Sequence, residues 1–249
     1  MMNRHLLQWI NDADAIRHVE RFRVPQVTIE QIEVRTRVDD YYIALVGELF
    51  TRMRTGSQDA EGWSKLGNAL AQVAAIGQER ELKRAGISPS EATLFAAAAF
   101  YCGGFPASAY ITIKSRPIDL AGPESYLACT DLLGRQNATR SMLGKSLLDA
   151  LERGDLSQIE DIRRETEKAS RTKLDDSASE WIPARLLENL VGRFASTNVR
   201  AVLPYGDNAF WTPFVQSLLM RRPAIWDFFP SQIDAIKRGL IESNQTFSL

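Results

Sequence analysis

"LFAAAAFYCGGFPASAYITI", residues 94 to 113, contains no charged side chain, and it decides how the surrounding chain can fold. A stretch of this length is sufficient to cross a bilayer as a helix. However, it is rich in alanine, glycine and serine, and Gly103, Gly104 and Pro106 interrupt it near its middle. Small residues allow helix backbones to approach closely. The stretch therefore predicts two short buried helices that meet at a tight turn, and no membrane segment.

Helix signals dominate on both sides of this hairpin, so we predict an all-α body that extends to about Arg222. Ser88 or Ser90 is expected to cap the first helix of the hairpin, with Pro89 in its first turn. Residues 26–35 alternate at period two and are compatible with a short strand or the start of a helix. The other predicted helices cover residues 3–22, Asp39 or Asp40 to Arg54, Ser57 to Gly86, 123–134, 140–153, 156–173, 179–196, 208–221 and 230–242.

The composition is that of a soluble globular protein: 45% of the 249 residues are hydrophobic and 24% are charged. The formal net charge of -1 gives no overall basic excess for binding nucleic acid through many phosphate contacts. A local basic patch made of Arg35, Arg37, Arg52 and Arg54 is a weaker hypothesis. Two cysteines do not make a disulfide framework, and the N-terminus lacks a signal peptide, so we expect a cytoplasmic protein.

Three local patterns favour structural interpretations. Gly144-Lys145-Ser146 matches the end of a phosphate-binding loop, but the leading glycine of that motif is replaced by Thr139 and no strand precedes it. Residues 63–70, "WSKLGNAL", match the opening of a tetratricopeptide repeat, but no second copy follows. The mixed charges of residues 160–176 predict a solvated helix with ion pairs between residues four apart.

No cluster of residues suited to catalysis or metal binding stands out. His5 and His18 do not share a helix face with a carboxylate in a known ligand pattern, and we expect surface or packing roles for them. The acidic pairs Asp39-Asp40 and Asp175-Asp176 lie where helix caps are expected. We therefore expect no catalytic residue and no metal ligand in this chain.

The C-terminal stretch "FFPSQIDAIKRGLIESNQTFSL", residues 228–249, has a different character. An aromatic-Pro-x-Gln element opens a helix, and a polar turn leads to a strand onset at residues 246–249. This stretch resembles the segment that leads into the motor core of superfamily 2 helicases of the DEAD/DExH-box kind. More loosely, residues 90–110 resemble the helical N-terminal regions of bacterial helicases in antiviral defence systems such as Hachiman.

The resemblance implies roles for individual residues in the parent protein. Gln232 would read the adenine of ATP, with Phe228 or Phe229 as the aromatic residue beside the base. An amide side chain can donate to one edge atom of adenine and accept from another, as in DNA recognition, and aromatic stacking adds affinity with little selectivity. The helix face that packs on the motor core would consist of Ile233, Ile236, Leu240 and Ile241. The alternative is a core helix capped by Ser231, with Gln232 merely exposed.

The resemblance also implies a domain organisation. Residues 1–222 would be a helical accessory domain, and residues 223–249 the first part of a RecA-like α/β motor. Because the phosphate-binding loop and the magnesium-binding carboxylates do not occur in the chain, we expect ATP and Mg²⁺ to act in the full-length parent and not to bind stably here. The expected partners are the motor domain itself, an effector such as a nuclease, and DNA or RNA through the parent. The alternative from another class is a complete helical adaptor for protein partners.

Overall fold

The computed structural model describes residues 30–76, 88–116, 118, 123–135, 140–176, 178–203, 211–221 and 224–239. The chain divides into two compact units, Met1–Gly122 and Pro123–Leu249. Within the described residues the regular secondary structure is helical, apart from one isolated antiparallel bridge between Asn198 and Asp227. The all-α prediction is therefore confirmed for these residues, whereas the predicted helix 3–22 and the strand onset at 246–249 lie outside them.

The described part of the first unit consists of two helix pairs. The first pair is α1 (Glu30–Thr55) and α2 (Ala60–Ile76), and the second is α3 (Pro89–Cys102) and α4 (Pro106–Ser115). The Ser88 hydroxyl caps α3 by accepting a hydrogen bond from the Glu91 N–H at 3.3 Å. Of the two predicted caps, Ser88 and Ser90, the structure has the first.

The hairpin of α3 and α4 forms as predicted, but its two helices are buried to different extents. Every residue of α3 from Ala92 to Tyr101 is buried. In α4 the buried residues are Ala109 and Ile113, and Ile111 is 62% exposed. The prediction of two buried helices is therefore correct for α3 and wrong for α4, because an uncharged sequence does not show which of two helices has neighbours on all sides.

Glycine permits the close packing around α3. A Cβ atom at Gly67 in α2 would lie 2.8 Å from the Phe100 ring, and one at Gly103 would lie 2.5 Å from the Cβ atom of Trp63. The turn itself needs Gly104, whose φ of +87° is rarely adopted by other residues. The small residues of the quoted stretch thus determine how closely α2 and α3 approach each other.

The described part of the second unit contains seven helices. They are α5 (Glu124–Gly134), α6 (Met142–Arg153), α7 (Leu156–Asp176), α8 (Ala178–Thr197), α9 (Val199–Val202), α10 (Trp211–Leu219) and α11 (Pro230–Lys237). Helices α5 to α8 supply most of the interior, where six apolar side chains meet. These are Leu132, Leu147, Leu151, Ile159, Val191 and Phe194.

The charged helix α7 confirms the predicted ion pairs. Arg163 pairs with Glu160 at 2.8 Å, and Arg164 pairs with the same carboxylate at 3.2 Å. Facing α8, the buried Ser170 hydroxyl donates to Glu188. The hydrogen bonds from Arg163 lower the pKa of Glu160 from its ordinary 4.5 to about 2, and desolvation acts in the opposite direction.

Several predicted helix boundaries near the N-terminus are wrong. Helix α1 begins at Glu30, so residues 30–35 are helical and the pair Asp39-Asp40 lies in the helix interior instead of capping it. Helix α2 begins at Ala60 instead of Ser57, because the Asp59 carboxylate accepts the Gly62 N–H at 2.9 Å and so provides the cap.

Other local predictions have mixed outcomes. Gly144, Lys145 and Ser146 lie inside α6, which confirms that this triplet is not a phosphate-binding loop. Asp175 and Asp176 are the last residues of α7, and their side chains lie outside the description. The boundary proposed between residues 222 and 223 stays a prediction.

Candidate functional site

The segment that precedes α11 is fixed to the second unit by its backbone. The Val199 N–H donates to the Trp226 carbonyl at 2.9 Å, and the Phe228 N–H donates to the Thr197 carbonyl at 3.0 Å. These two bonds form the antiparallel bridge at Asp227. Residues 226–228 therefore enter α11 from a defined position at the junction of α8 and α9.

Side chains reinforce this attachment. At the end of α5, one nitrogen of the Arg135 guanidinium, Nη2, donates to both carboxylate oxygens of Asp227, at 2.8 Å to Oδ1 and 2.6 Å to Oδ2. It also lies over the Trp226 ring, 4.5 Å from the ring centroid. Trp226 is 2% exposed and contacts Phe194 in the interior, with the ring centroids 5.2 Å apart. An ion pair and an aromatic anchor thus act on two consecutive residues.

Helix α11 does not begin as in the alternative interpretation, in which Ser231 caps a core helix. Phe229 is the residue before the helix and Pro230 occupies its first turn, a position that suits proline because the missing N–H has no intrahelical acceptor. The side-chain amide oxygen of Gln232, Oε1, accepts a hydrogen bond from the Phe229 N–H at 2.9 Å. The reciprocal half of a capping box is impossible because a phenylalanine side chain has no acceptor. Gln232 therefore closes the helix start, and the Ser231 cap is wrong.

The three residues predicted to bind adenine lie within one short turn. Gln232 is exposed, Phe229 is 48% exposed, and Phe228 is half-buried. An amide oxygen can accept two hydrogen bonds, and the amide nitrogen can donate two. Capping thus uses one of the oxygen's two sites and leaves Gln232 the chemical capacity for bidentate contact with a base edge.

Apolar residues at the start of α11 and along it form a stripe that is only partly covered. Phe229, Ile233 and Ile236 follow each other at helical spacing; Phe229 is 48% exposed, and Ile233 and Ile236 are half-buried. The helix ends at Lys237, followed by Gly239 with a φ of +83°. The predicted extension of a regular helix to residue 242 is therefore wrong at Gly239, and Leu240 and Ile241 lie outside the described residues.

A second polar cluster surrounds Asp131 of α5. Its Oδ2 atom accepts the Arg140 N–H at 2.9 Å and the Ser141 N–H at 3.1 Å, while Oδ1 is buried and has no hydrogen-bond partner in the described structure. Burial raises the pKa of Asp131, and the backbone hydrogen bonds act against this rise. A Cβ atom at Gly144 would lie 2.7 Å from Oδ2, so the carboxylate is closed in by α6. These contacts fix the loop before α6 and leave no space for a substrate.

An open groove of about 520 Å³ lies beside α6 and α10. Arg153 on its wall donates to the Asp149 carbonyl at 3.1 Å and to Gln158 at 3.0 Å. Its lining combines both charge signs with apolar side chains and does not select one class of ligand. The lining residues are Asp149, Glu152, Arg153, Arg200, Gln216, Leu219 and Met220.

The hypothesis of a basic patch on α1 fails at Arg52. This side chain is 6% exposed, pairs with the buried Glu48 at 2.7 Å, and lies 5.8 Å from the centre of the Trp63 ring. Arg54 is exposed, and the side chains of Arg35 and Arg37 lie outside the description. Because its side chain is buried in these contacts, Arg52 cannot contact phosphate.

The described residues contain no group of three or more His, Cys, Asp and Glu side chains that could hold a metal ion. Cys102 is half-buried and Cys129 is buried, and neither takes part in a disulfide; His5 and His18 lie outside the described ranges. Burial raises the pKa of Cys129 well above the ordinary thiol value, which makes it a poor nucleophile. No helix in the described part is long and apolar enough to cross a membrane.

Comparisons with known proteins add no family to this description. A scan against protein-family models finds no match, and a search of curated proteins finds no similar sequence. Functional inference therefore depends on the residues themselves. Sequence analysis missed Arg135, whose side chain contacts both Trp226 and Asp227 in the segment before α11; the available signal was an arginine directly after Gly134, where a helix ends.

Proposed function

We propose that this chain is the helical accessory region of an ATP-dependent nucleic-acid helicase or translocase, and that residues 223–249 begin its RecA-like motor domain. The observation that carries the proposal is the junction at Phe229. Two backbone hydrogen bonds hold the chain up to Phe228, whereas no residue of α11 is buried. A fixed entry followed by a partly exposed apolar stripe is the arrangement expected for a helix that packs on a further domain.

In this proposal Gln232 contacts the adenine of ATP, with Phe228 or Phe229 beside the base. The support is chemical and local: the amide is exposed, the two aromatic residues precede it within four positions, and the helix start holds them together. Phosphoryl transfer itself needs a phosphate-binding loop and metal-binding carboxylates, which would belong to the motor domain. ATP and Mg²⁺ are accordingly assigned to the parent protein.

The accessory region would act on the motor mechanically or through a partner. Its contribution would be to dock on the motor, to gate DNA or RNA, or to bind an effector such as a nuclease. Arg52, a member of the predicted basic patch, is buried in an ion pair, which favours docking over direct binding of nucleic acid by α1. A cytoplasmic setting in bacterial antiviral defence is part of the same proposal.

The proposal is tested by comparing two proteins for ATP hydrolysis. Residues 1–249 alone should show no ATPase activity, and the protein translated in frame beyond codon 249 should contain a Gly-Lys-Thr loop and hydrolyse ATP. Hydrolysis by residues 1–249, or a stop codon directly after Leu249, would overturn it.

A second candidate, a helical adaptor for protein partners, is favoured by the outer face of α4. Tyr110 is 41% exposed and Ile111 is 62% exposed on a helix whose other face is buried. If the protein is an adaptor, substituting both residues with serine should abolish capture of its partner without changing the helical content. In the helicase the same double substitution should leave ATP hydrolysis unchanged.

A further inference from the structure

We infer that Arg135 is a positioning residue that determines where α11 lies, acting through a latch formed by Arg135, Trp226 and Asp227. Any effect of the latch on nucleotide binding rests on the proposed function. The contacts that form the latch do not depend on that proposal. The residues that it joins are 92 positions apart in the sequence.

The backbone of Arg135 is the first reason. Among the described residues it is the one non-glycine residue with a positive φ, +46°, and it occupies the left-handed position that ends α5. Glycine is the favoured residue at such a position because it has no Cβ atom to strain. Gly134 precedes it by one residue and lies in the helix. An arginine at this position implies that its side chain has a role that offsets the strained backbone.

The contacts of the side chain supply that role. One guanidinium group bonds both oxygens of Asp227 and covers the Trp226 ring. Asp227 is 8% exposed while Arg135 is 32% exposed, so the carboxylate is the more shielded member of the pair. Removing Arg135 would take two hydrogen bonds from a shielded carboxylate beside the backbone bridge.

The antiparallel bridge at Asp227 links loss of the ion pair to the position of α11. Trp226 and Phe228, which flank Asp227, form the hydrogen bonds that attach the segment to Val199 and Thr197. Opening the ion pair therefore favours opening of both hydrogen bonds, and α11, none of whose residues is buried, would move with them.

Hydrogen exchange of residues 1–249, followed by NMR, measures this directly at the Phe228 and Val199 amides. Arg135→Gly relieves the backbone strain and removes the side chain. If Arg135 serves only to end α5, exchange at both amides should be unchanged or slower in this variant. The latch predicts exchange about 10- to 100-fold faster at both amides, since hydrogen bonds to charged groups stabilise by roughly that factor. Arg135→Lys should give an intermediate rate because lysine keeps the positive charge but has no planar guanidinium to lie over the Trp226 ring.

Two controls separate the latch from general destabilisation. Arg238→Gln removes an exposed pair with Asp234 and should leave both rates unchanged. The amides inside α3 should keep their rates in every variant. Unchanged rates at Phe228 and Val199 in Arg135→Gly, or equal acceleration at all amides, would overturn the inference. Because no nucleotide takes part, this result is independent of the ATPase test of the proposed function.

Discussion

In the first unit α2 and α3 approach each other through glycine and alanine, whereas in the second unit α7 and α8 meet through larger apolar and polar side chains. Gly67 and Gly103 leave no space for a methyl group, and the ion pair of Arg52 with Glu48 is buried. On α7 the Arg164 side chain is 68% exposed and pairs with Glu160 near solvent. The first unit should therefore be sensitive to small changes in volume and charge, and α7 should tolerate them.

The largest expected difference concerns the two ion pairs. Arg52→Met leaves the Glu48 carboxylate buried without its partner, which should lower the free energy of unfolding by about 3–5 kcal/mol. Arg164→Met removes an exposed partner and should change it by less than about 0.5 kcal/mol. Urea denaturation followed by circular dichroism measures both. Similar losses in the two variants would mean that burial does not distinguish the pairs.

Packing volume should give the next largest difference. Gly103→Ala places a methyl group 2.5 Å from the Trp63 Cβ atom, so we expect a loss of about 1–3 kcal/mol. Gly192 in α8 has no atom within 4 Å of the same position, and Gly192→Ala should stabilise by up to about 1 kcal/mol because alanine favours a helix. Thermal unfolding of the two variants should shift in opposite directions. A shift of the same sign would contradict the close approach of α2 and α3.

The smallest effect should be the dependence of α7 on pH. The pKa of Glu160, lowered to about 2 in the folded protein, rises to about 4.5 on unfolding. A depressed pKa contributes stability that is complete above the unfolded value and is lost as the pH falls towards 2. Glu160→Gln lacks this contribution, so its stability should fall less steeply than that of the wild type between pH 5 and 2. Chemical unfolding at several pH values measures the slopes, and parallel slopes would argue against the ion pair.

The features that sequence predicted are local. The hairpin of α3 and α4, the Ser88 cap and the ion pairs of α7 all depend on residues within a few positions of each other. The turn after α6 was equally predictable, since Gly154 adopts a φ of +63° there.

The features that sequence could not show depend on distant residues or on competition between neighbours. Arg135 meets Asp227 across 92 positions, and no periodicity connects them. Asp59 caps α2 although Ser57 has the same capping ability, because the polypeptide turn between α1 and α2 decides which side chain reaches the helix start. In the candidate site, the exposure of Gln232 was one of two alternatives, but its hydrogen bond to the Phe229 N–H required a structure.

The most direct test of the helicase proposal is the KM for ATP of the longer protein that the proposal requires, in Gln232→Ala and in Gln216→Ala. Gln216 is likewise exposed on a short helix and serves as the matched control. We predict that Gln232→Ala raises the KM for ATP about tenfold or more, as expected for a lost bidentate contact to adenine, and leaves that for GTP unchanged. Gln216→Ala should alter neither value. Equal KM values for ATP in Gln232→Ala and the wild type would contradict the proposed role of this residue.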